Sequence, residues 1–94
     1  MKFNEEKYLK EAQEYIENTY RQHYVGRKEI QVVDIWDNLG TLDTTSRDVA
    51  IKYLVRYGKK GGKNRTDLLK AIHYIFLMLY VQDTTPNGLE KKDT

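Results

Sequence analysis

A row of cationic side chains runs into a glycine-rich turn in the second half of the chain. Lys52, Arg56 and Lys59 follow one another at spacings of four and three, and residues 58–66 read GKKGGKNRT. Residues three and four apart share one face of an α-helix. Lys and Arg side chains on such a face can bind phosphate oxygens, and Arg can do so bidentately. The pattern predicts a phosphate site, and the alternative is a solvated helix face without a ligand.

The glycine-rich turn is not a nucleotide-binding P-loop. A P-loop needs four positions between its two glycines and a Ser or Thr after its Lys, whereas three positions separate Gly58 from Gly62 and Asn64 takes the hydroxyl position. We interpret it as a cationic turn before a helix N-terminus, where unpaired N–H groups and the helix dipole favour anions. The predicted phosphate ligands are Lys52, Arg56, Lys60 and the backbone of Gly61 and Gly62.

Charge is balanced over the whole chain and concentrated locally. Sixteen Lys and Arg against 14 Asp and Glu give a net charge of +2, which disfavours strong binding to nucleic acid. Residues 52–70, however, hold seven Lys or Arg and a single acid, Asp67. This asymmetry indicates a local anion site.

Length and composition favour one cytoplasmic domain spanning residues 1–94. The chain has 94 residues and no cysteine, so it has no disulfide framework or thiolate metal site and suits a reducing compartment. No apolar run reaches the roughly 18 residues of a membrane span. The N-terminus, MKFNEEKYLKEAQ, is charged where a signal peptide is apolar. We therefore expect a soluble protein without a membrane partner.

The elements that position these residues are predicted to be four helices, an all-α bundle. Apolar residues recur at helical spacing from Glu5 to Tyr20, behind Asn4 as a cap. Residues 30–39 favour a short helix ending at Gly40, although their β-branched side chains keep a strand open.

The last two helices flank the glycine-rich turn. Residues 42–46 predict a polar bend with Thr45 or Ser46 capping the third helix, which ends at Gly58. The fourth helix begins at Asn64 and runs to Pro86 and Gly88, beyond which the tail LEKKDT is expected to fray. The buried stripe predicted for the third helix is Ala50, Ile51, Leu54 and Val55.

The fourth helix is apolar on two sides, which predicts contact with a second chain. One stripe is Leu68, Leu69, Ile72, Ile75, Phe76 and Leu79, and the other is Ala71, Tyr74, Leu77, Met78 and Val81. A surface helix of a small monomer needs only one such stripe. We therefore expect a homo-oligomer joined through the second stripe, and the alternative is a central helix wrapped by the other three.

The segment from Ala50 to Ile75 resembles the small phage-encoded SaV-like domain family, whose members often carry the label nucleotide kinase. The matching positions are Ala50, Ile51, Lys52, Tyr53, Leu54, Arg56, Gly58, Lys60, Asp67, Leu68, Lys70, Ala71 and Tyr74. His23-Tyr24 and residues 29–34 resemble two further family elements, so the likeness covers residues 22–80. Val49 and Arg21 replace an Asn and a Pro of the family pattern.

The resemblance implies a nucleotide ligand and phage nucleotide metabolism in the cytoplasm of an infected bacterium. His23 or Tyr24 would then lie near the base or sugar. Three functions stay open: a nucleoside monophosphate kinase, a non-enzymatic sponge that sequesters cyclic signalling nucleotides in phage counter-defence, and a nucleic-acid-binding regulator.

Metal chemistry has little basis in the sequence. His23 and His73 are the only histidines and stand at no metal-ligand spacing. Asp34 and Asp37 are three apart and could hold Mg²⁺ through waters, although solvation of a helix edge is the favoured explanation. The sequence specifies no cofactor with certainty, and Mg²⁺ is a candidate if the protein is an enzyme.

Overall fold

The computed structural model describes residues 1–24, 31–59 and 61–85, with side chains described for 1–22, 31–59 and 61–85. These residues form four α-helices and no β-strand: α1 (Glu5–Tyr24), α2 (Val32–Leu39), α3 (Leu42–Arg56) and α4 (Arg65–Thr84). The all-α prediction is confirmed for this part of the chain, including helix rather than strand at α2. None of these helices is long and apolar enough to cross a membrane. Pro86, Gly88 and the tail lie outside the described residues.

The central unit is an antiparallel pair formed by α3 and α4. Tyr53 stacks on Tyr74 and Arg56 pairs with Asp67, so residue numbers rise along one helix as they fall along the other. The buried side chains of the two helices are Leu42, Ser46, Ala50, Asp67 and Ala71, most of them small. Small side chains at the contact allow the two helices to approach closely.

The other two helices pack around this pair. α1 contacts α4 and α2 contacts α3. Arg65, the first residue of α4, donates two hydrogen bonds to the carboxylate of Glu11 on α1. Among the side chains of α1 that the structure describes, Ala12 is the buried one, with 3% of its surface exposed. The contact between α1 and α4 therefore combines the buried Ala12 with the ion pair between Arg65 and Glu11.

Two predicted helix boundaries are confirmed and one is wrong. Gly40 ends α2 in the left-handed conformation (φ 78°), and the Asn64 side chain caps α4 by accepting the Thr66 N–H at 2.8 Å. The third helix begins at Leu42, behind Thr41, instead of after a polar bend. Leu42 is only 4% exposed, and burying this side chain favours helix through a segment whose Thr and Ser residues suggested a bend.

The predicted buried stripe of α3 is also wrong except at Ala50. Ile51, Leu54 and Val55 are 50%, 51% and 57% exposed, whereas Ser46 is fully buried. The inward face runs through Leu42, Ser46, Ala50 and the partly buried Tyr53. Hydropathy misled the prediction because a serine and a tyrosine face inward and three aliphatic residues face outward.

The second stripe of α4, predicted to meet another chain, faces into the subunit, whereas the first stripe is partly buried at Leu68, Leu69 and Ile72 and exposed further along the helix. Ala71 is 2% exposed, and the rest of the stripe expected to meet another chain, Tyr74, Leu77, Met78 and Val81, is partly buried within the subunit. Ile75, Phe76 and Leu79 are 41%, 42% and 51% exposed instead. We call Ile51, Leu54, Val55, Ile75, Phe76 and Leu79 the outer face.

The cap of α4 provides a test of the fold. Replacing Asn64→Ala removes the acceptor of the Thr66 N–H, so we expect the free energy of unfolding to fall by about 0.5–2 kcal/mol. Asn64→Asp keeps an acceptor oxygen and adds a favourable charge at the helix N-terminus, so it should retain the wild-type value. Urea unfolding followed by circular dichroism measures both, and equal stability of all three proteins would contradict the cap.

Candidate functional site

The structure gathers three cations around one tyrosine ring. The Lys52 Nζ lies 4.9 Å and the Arg56 guanidinium carbon 5.9 Å from the centre of the Tyr53 ring. Lys70 of α4 lies on the same ring, with its Nζ 5.7 Å from the centre. We call Lys52, Arg56, Lys70 and Tyr53 the Tyr53 cluster.

Two features of the helices produce this cluster. Lys52 and Arg56 are four apart on α3 and therefore lie one above the other, as the sequence predicted. Lys70 arrives from the facing helix because α3 and α4 run antiparallel. Lys70 agrees with the family pattern, but the sequence alone does not place it at the site, since no spacing within one helix relates it to Lys52.

A buried carboxylate accompanies the cluster. Asp67 is 3% exposed and its Oδ1 lies 3.6 Å from the Arg56 Nε. Its Oδ2 is buried and receives no hydrogen bond from the described residues. Because Asp67 lies in the first turn of α4, the helix dipole stabilises its negative charge. One carboxylate faces three cations, so the cluster carries a local excess of positive charge. The side chain of Arg56 is half exposed.

Lys70 is held in its charged form. A hydrogen bond with Tyr15 raises the pKa of Lys70 above its ordinary value, outweighing burial, and the neighbouring Tyr53 and Tyr74 act in the same direction. Its Nζ also lies 5.9 Å from the centre of the Tyr15 ring. Lys70 therefore joins α1 to the α3–α4 pair as a permanent cation.

A cavity of about 190 Å³ adjoins the Tyr53 cluster between α1, α2 and α4. Its lining is Tyr15, Thr19, Tyr20, Gln31, Val32, Val33, Lys70, His73, Tyr74 and Leu77. Lys70 belongs to both the cavity and the cluster, and Tyr74 stacks on Tyr53 with ring centres 6.5 Å apart. The cluster and the cavity are therefore continuous.

His73 forms part of the cavity wall and is half-buried. Its Nε2 lies 3.3 Å from the Tyr20 hydroxyl, and the two rings meet edge to face with centres 5.5 Å apart. Burial, followed by the charge of Lys70, lowers the pKa of His73 below its ordinary value. The imidazole is therefore neutral at neutral pH. The sequence interpretation of a partly buried residue is confirmed, but its place in the cavity wall was not foreseen.

Asp34 and Asp37 line a second cavity of about 200 Å³ on the other side of Tyr20 and Gln31. The Asp34 Oδ2 accepts the Gln31 N–H at 3.3 Å, and the Asp37 Oδ2 accepts the Tyr80 hydroxyl at 3.4 Å. Within the described ranges no group of three or more His, Cys, Asp or Glu is arranged to hold a metal ion.

The glycine-rich turn uses part of its backbone for its own closure. Gly58 N–H donates to the Gly62 carbonyl at 3.0 Å, and Gly62 N–H donates to the Lys59 carbonyl at 3.2 Å. Gly58, Gly61 and Gly62 all have positive φ, from 71° to 87°, which glycine adopts without a steric penalty. Lys60 and the side chains of His23 and Tyr24 lie outside what the structure describes.

These features define a small all-α protein in which a helical pair carries a cationic cluster beside an aromatic cavity. The chain belongs to the family described as "Protein of unknown function (DUF3310)", whose profile matches residues 18–76. That segment contains every member of the Tyr53 cluster. No curated protein and no solved structure matches the chain.

Histidine protonation provides a pH test of the site. Because the pKa of His73 is lowered in the folded state, the unfolded chain binds a proton first as pH falls below about 6.5. The free energy of unfolding should therefore decrease from pH 7 towards pH 5.5. A His23→Gln background makes His73 the only histidine, and adding His73→Gln should flatten the slope. Urea unfolding at each pH measures the effect, and equal slopes in both proteins would refute it.

Proposed function

We propose that this protein binds the phosphate groups of a nucleotide at the Tyr53 cluster. The observation that carries the proposal is the convergence of Lys52, Arg56 and Lys70 from two helices on one ring, with Asp67 as their carboxylate partner. Charge-assisted hydrogen bonds to phosphate oxygens are about twice as strong as neutral ones. A phosphate would offset the excess positive charge of the cluster.

The resemblance to phage nucleotide-kinase-labelled proteins supports a nucleotide over a simple phosphate. Lys52, Tyr53, Arg56 and Lys70 are all positions at which the sequence agrees with that pattern. The same resemblance suggests the cytoplasm of an infected bacterium as the place of action. The described turn closes through the Gly62 N–H, so the proposal rests on side chains more than on the Gly61–Gly62 backbone.

The proposed site could serve an enzyme that converts the bound nucleotide or a non-enzymatic protein that retains it unchanged. A nucleoside monophosphate kinase positions phosphoryl groups with cations and needs Mg²⁺, for which Asp34 and Asp37 beside the neighbouring cavity are the candidate ligands. A sponge for cyclic signalling nucleotides needs the cations alone.

One incubation separates these forms. Purified protein is mixed with ATP, Mg²⁺, nucleoside monophosphates and cyclic nucleotides, and the products and the retained ligands are analysed by mass spectrometry. New nucleoside diphosphates would establish a kinase, and an unchanged but retained nucleotide would establish retention. Salt-sensitive binding of duplex DNA without nucleotide binding would favour the regulator instead.

We also propose that two copies associate through the outer face. Six large apolar side chains there are between 41% and 57% exposed, and the two leucines among them lie roughly opposite the cations of the Tyr53 cluster on their own helices. At about 100° per residue, Leu54 lies roughly 160° around α3 from Lys52. Two helical pairs that meet through such faces would form a four-helix bundle, a stable way to bury apolar stripes.

Removing one cation should weaken phosphate binding without unfolding the protein. For Lys52→Ala we expect about a tenfold or greater loss of nucleotide affinity, since one charge-assisted bond contributes roughly 1.5–3 kcal/mol. Lys52 is exposed, so its removal leaves no buried partner. Arg56 pairs with the buried Asp67, so Arg56→Lys, which keeps the charge, is the suitable variant there and should lose less nucleotide affinity. Calorimetry measures both, with Lys10→Ala on α1 as the matched control. Equal affinity of Lys52→Ala and Lys10→Ala would contradict the site.

The association can be tested by light scattering. Wild-type protein at micromolar concentration should have at least twice the 11.2 kDa subunit mass, and Leu54→Glu should shift it towards the monomer because a charge would be buried in the interface. Leu9→Glu is the matched control, since Leu9 of α1 is similarly exposed at 54% and lies off the outer face. A monomeric wild type would refute the proposal.

A further inference from the structure

We infer that the outer face is covered by a second copy of the chain whose α4 lies antiparallel to the first, so that Arg65 of each subunit pairs with Asp83 of the partner subunit. The inference rests on the proposed association through the outer face. It goes further by specifying the direction and the register of the contact.

The helical pair carries opposite charges at its two ends. At the end with the glycine-rich turn, residues 56–67, the described cations outnumber the single acid, Asp67: they are Arg56, Lys59, Lys63 and Arg65. At the opposite end, residues 37–48 and 79–85, the acids outnumber the single cation, Arg47, which pairs with Asp48: they are Asp37, Asp43, Asp48 and Asp83. An antiparallel contact brings each cationic end to the acidic end of the partner, whereas a two-fold axis along the helices brings like charges together.

Arg65 and Asp83 lie on one side of α4, at its two ends. They are 18 residues apart, which is about five full turns, so both point the same way and stand about 27 Å apart along the helix axis. Both are exposed. Phe76 and Leu79 of the outer face lie within about 40° of the line that joins them. Opposite charges therefore flank the part of the outer face that α4 contributes.

Both charges have bonding capacity that the described residues leave unused. The Nε and one terminal nitrogen of Arg65 donate to Glu11, and no described residue accepts a hydrogen bond from its other terminal nitrogen. A guanidinium has five N–H donors and can bind two carboxylates at once. Asp83 forms no hydrogen bond or ion pair with a described residue. Arg65 can therefore keep Glu11 and also bind the partner subunit's Asp83.

The same register matches the apolar side chains between the two charges. When Arg65 meets the partner subunit's Asp83, Leu68 lies beside Leu79 of the partner subunit and Ile72 lies beside Phe76 of the partner subunit. Leu68 and Ile72 line an open cavity of about 240 Å³ between α1 and α4, and Phe76 and Leu79 are 42% and 51% exposed. The exposed half of one α4 would thus cover the cavity beside the other half of the partner's α4, which removes apolar surface from water on both sides.

Charge variants at Asp83 distinguish the two directions of association. Asp83→Asn removes two ion pairs from an antiparallel dimer, so we expect its dimer affinity to fall about threefold to fivefold, and that of Asp83→Arg about tenfold. A cation in the last turn of α4 is favourable for the helix, so Asp83→Arg should stay folded. Glu14→Arg, at an exposed acid of α1, is the matched control and should dimerise like the wild type.

Sedimentation equilibrium over a dilution series measures these dimer affinities. Unchanged or tighter association of Asp83→Asn would overturn the antiparallel direction, because a dimer with like charges together gains from the loss of one. A monomeric wild type would instead refute the association through the outer face.

Cysteine cross-linking tests the register. The chain contains no cysteine, so Leu68→Cys and Leu79→Cys each carry a single thiol. A disulfide needs Cβ atoms about 3.5–4.5 Å apart. After the two variants exchange subunits, mild oxidation should yield a disulfide between them. Neither variant should form one alone, because equivalent residues lie at least about 15 Å apart along the helix axis. Dimers that form no mixed disulfide, or that link equivalent residues instead, would overturn the register.

Discussion

The close packing of α3 on α4 is the constraint on which the rest of the structure depends. Ser46, Ala50 and Ala71 have so little side chain that the two helices meet with almost no exposed surface at these positions. Larger side chains there would force the helices apart, because protein interiors are packed to near-crystalline density. The separation of these backbones determines whether Lys70 reaches the ring that Lys52 and Arg56 already flank.

This packing divides the helical pair into two sides with different chemistry. Cations and tyrosines occupy one side, and aliphatic residues and Phe76 occupy the other. The division follows from helical spacing, since residues about half a turn apart point in opposite directions. Arg56 and Asp67 stabilise the cationic side, because the carboxylate is buried and the guanidinium is half exposed. Under the proposed function, a ligand would approach that side and a second subunit would contact the outer face.

α1 and α2 complete the site although they contribute little to its charge. Tyr15 and Tyr20 of α1 reach Lys70 and His73 of α4, and Gln31 precedes α2 with a buried amide. The contacts of Tyr15 with Lys70 and of Tyr20 with His73 join separate helices, and their residues are more than 40 positions apart. The lowered pKa of His73 and the raised pKa of Lys70 are largely consequences of this enclosure, since the main cause of the first is burial and that of the second is the hydrogen bond with Tyr15 of α1.

The sequence by itself determined the helices, most of their ends and half of the cationic cluster. Gly40 ends α2 through its positive φ angle, and Asn64 caps α4 through one side-chain hydrogen bond. Both roles are local, so they could be predicted from residue type. Lys52 and Arg56 could be paired because spacing along one helix is a local property. The start of α3 could not be predicted, because burial of Leu42 depends on a partner helix.

Only the tertiary structure decided which faces are buried and which residues meet. Ile51, Leu54 and Val55 are as apolar as any core residues, yet Ser46 and Tyr53 face inward because the small serine permits close approach and the tyrosine stacks on Tyr74. The position of Lys70 in the cluster, and the cavity beside it, depend on the angle and distance between helices that are remote in sequence. Those quantities result from packing of the whole chain, which no local pattern of residues encodes.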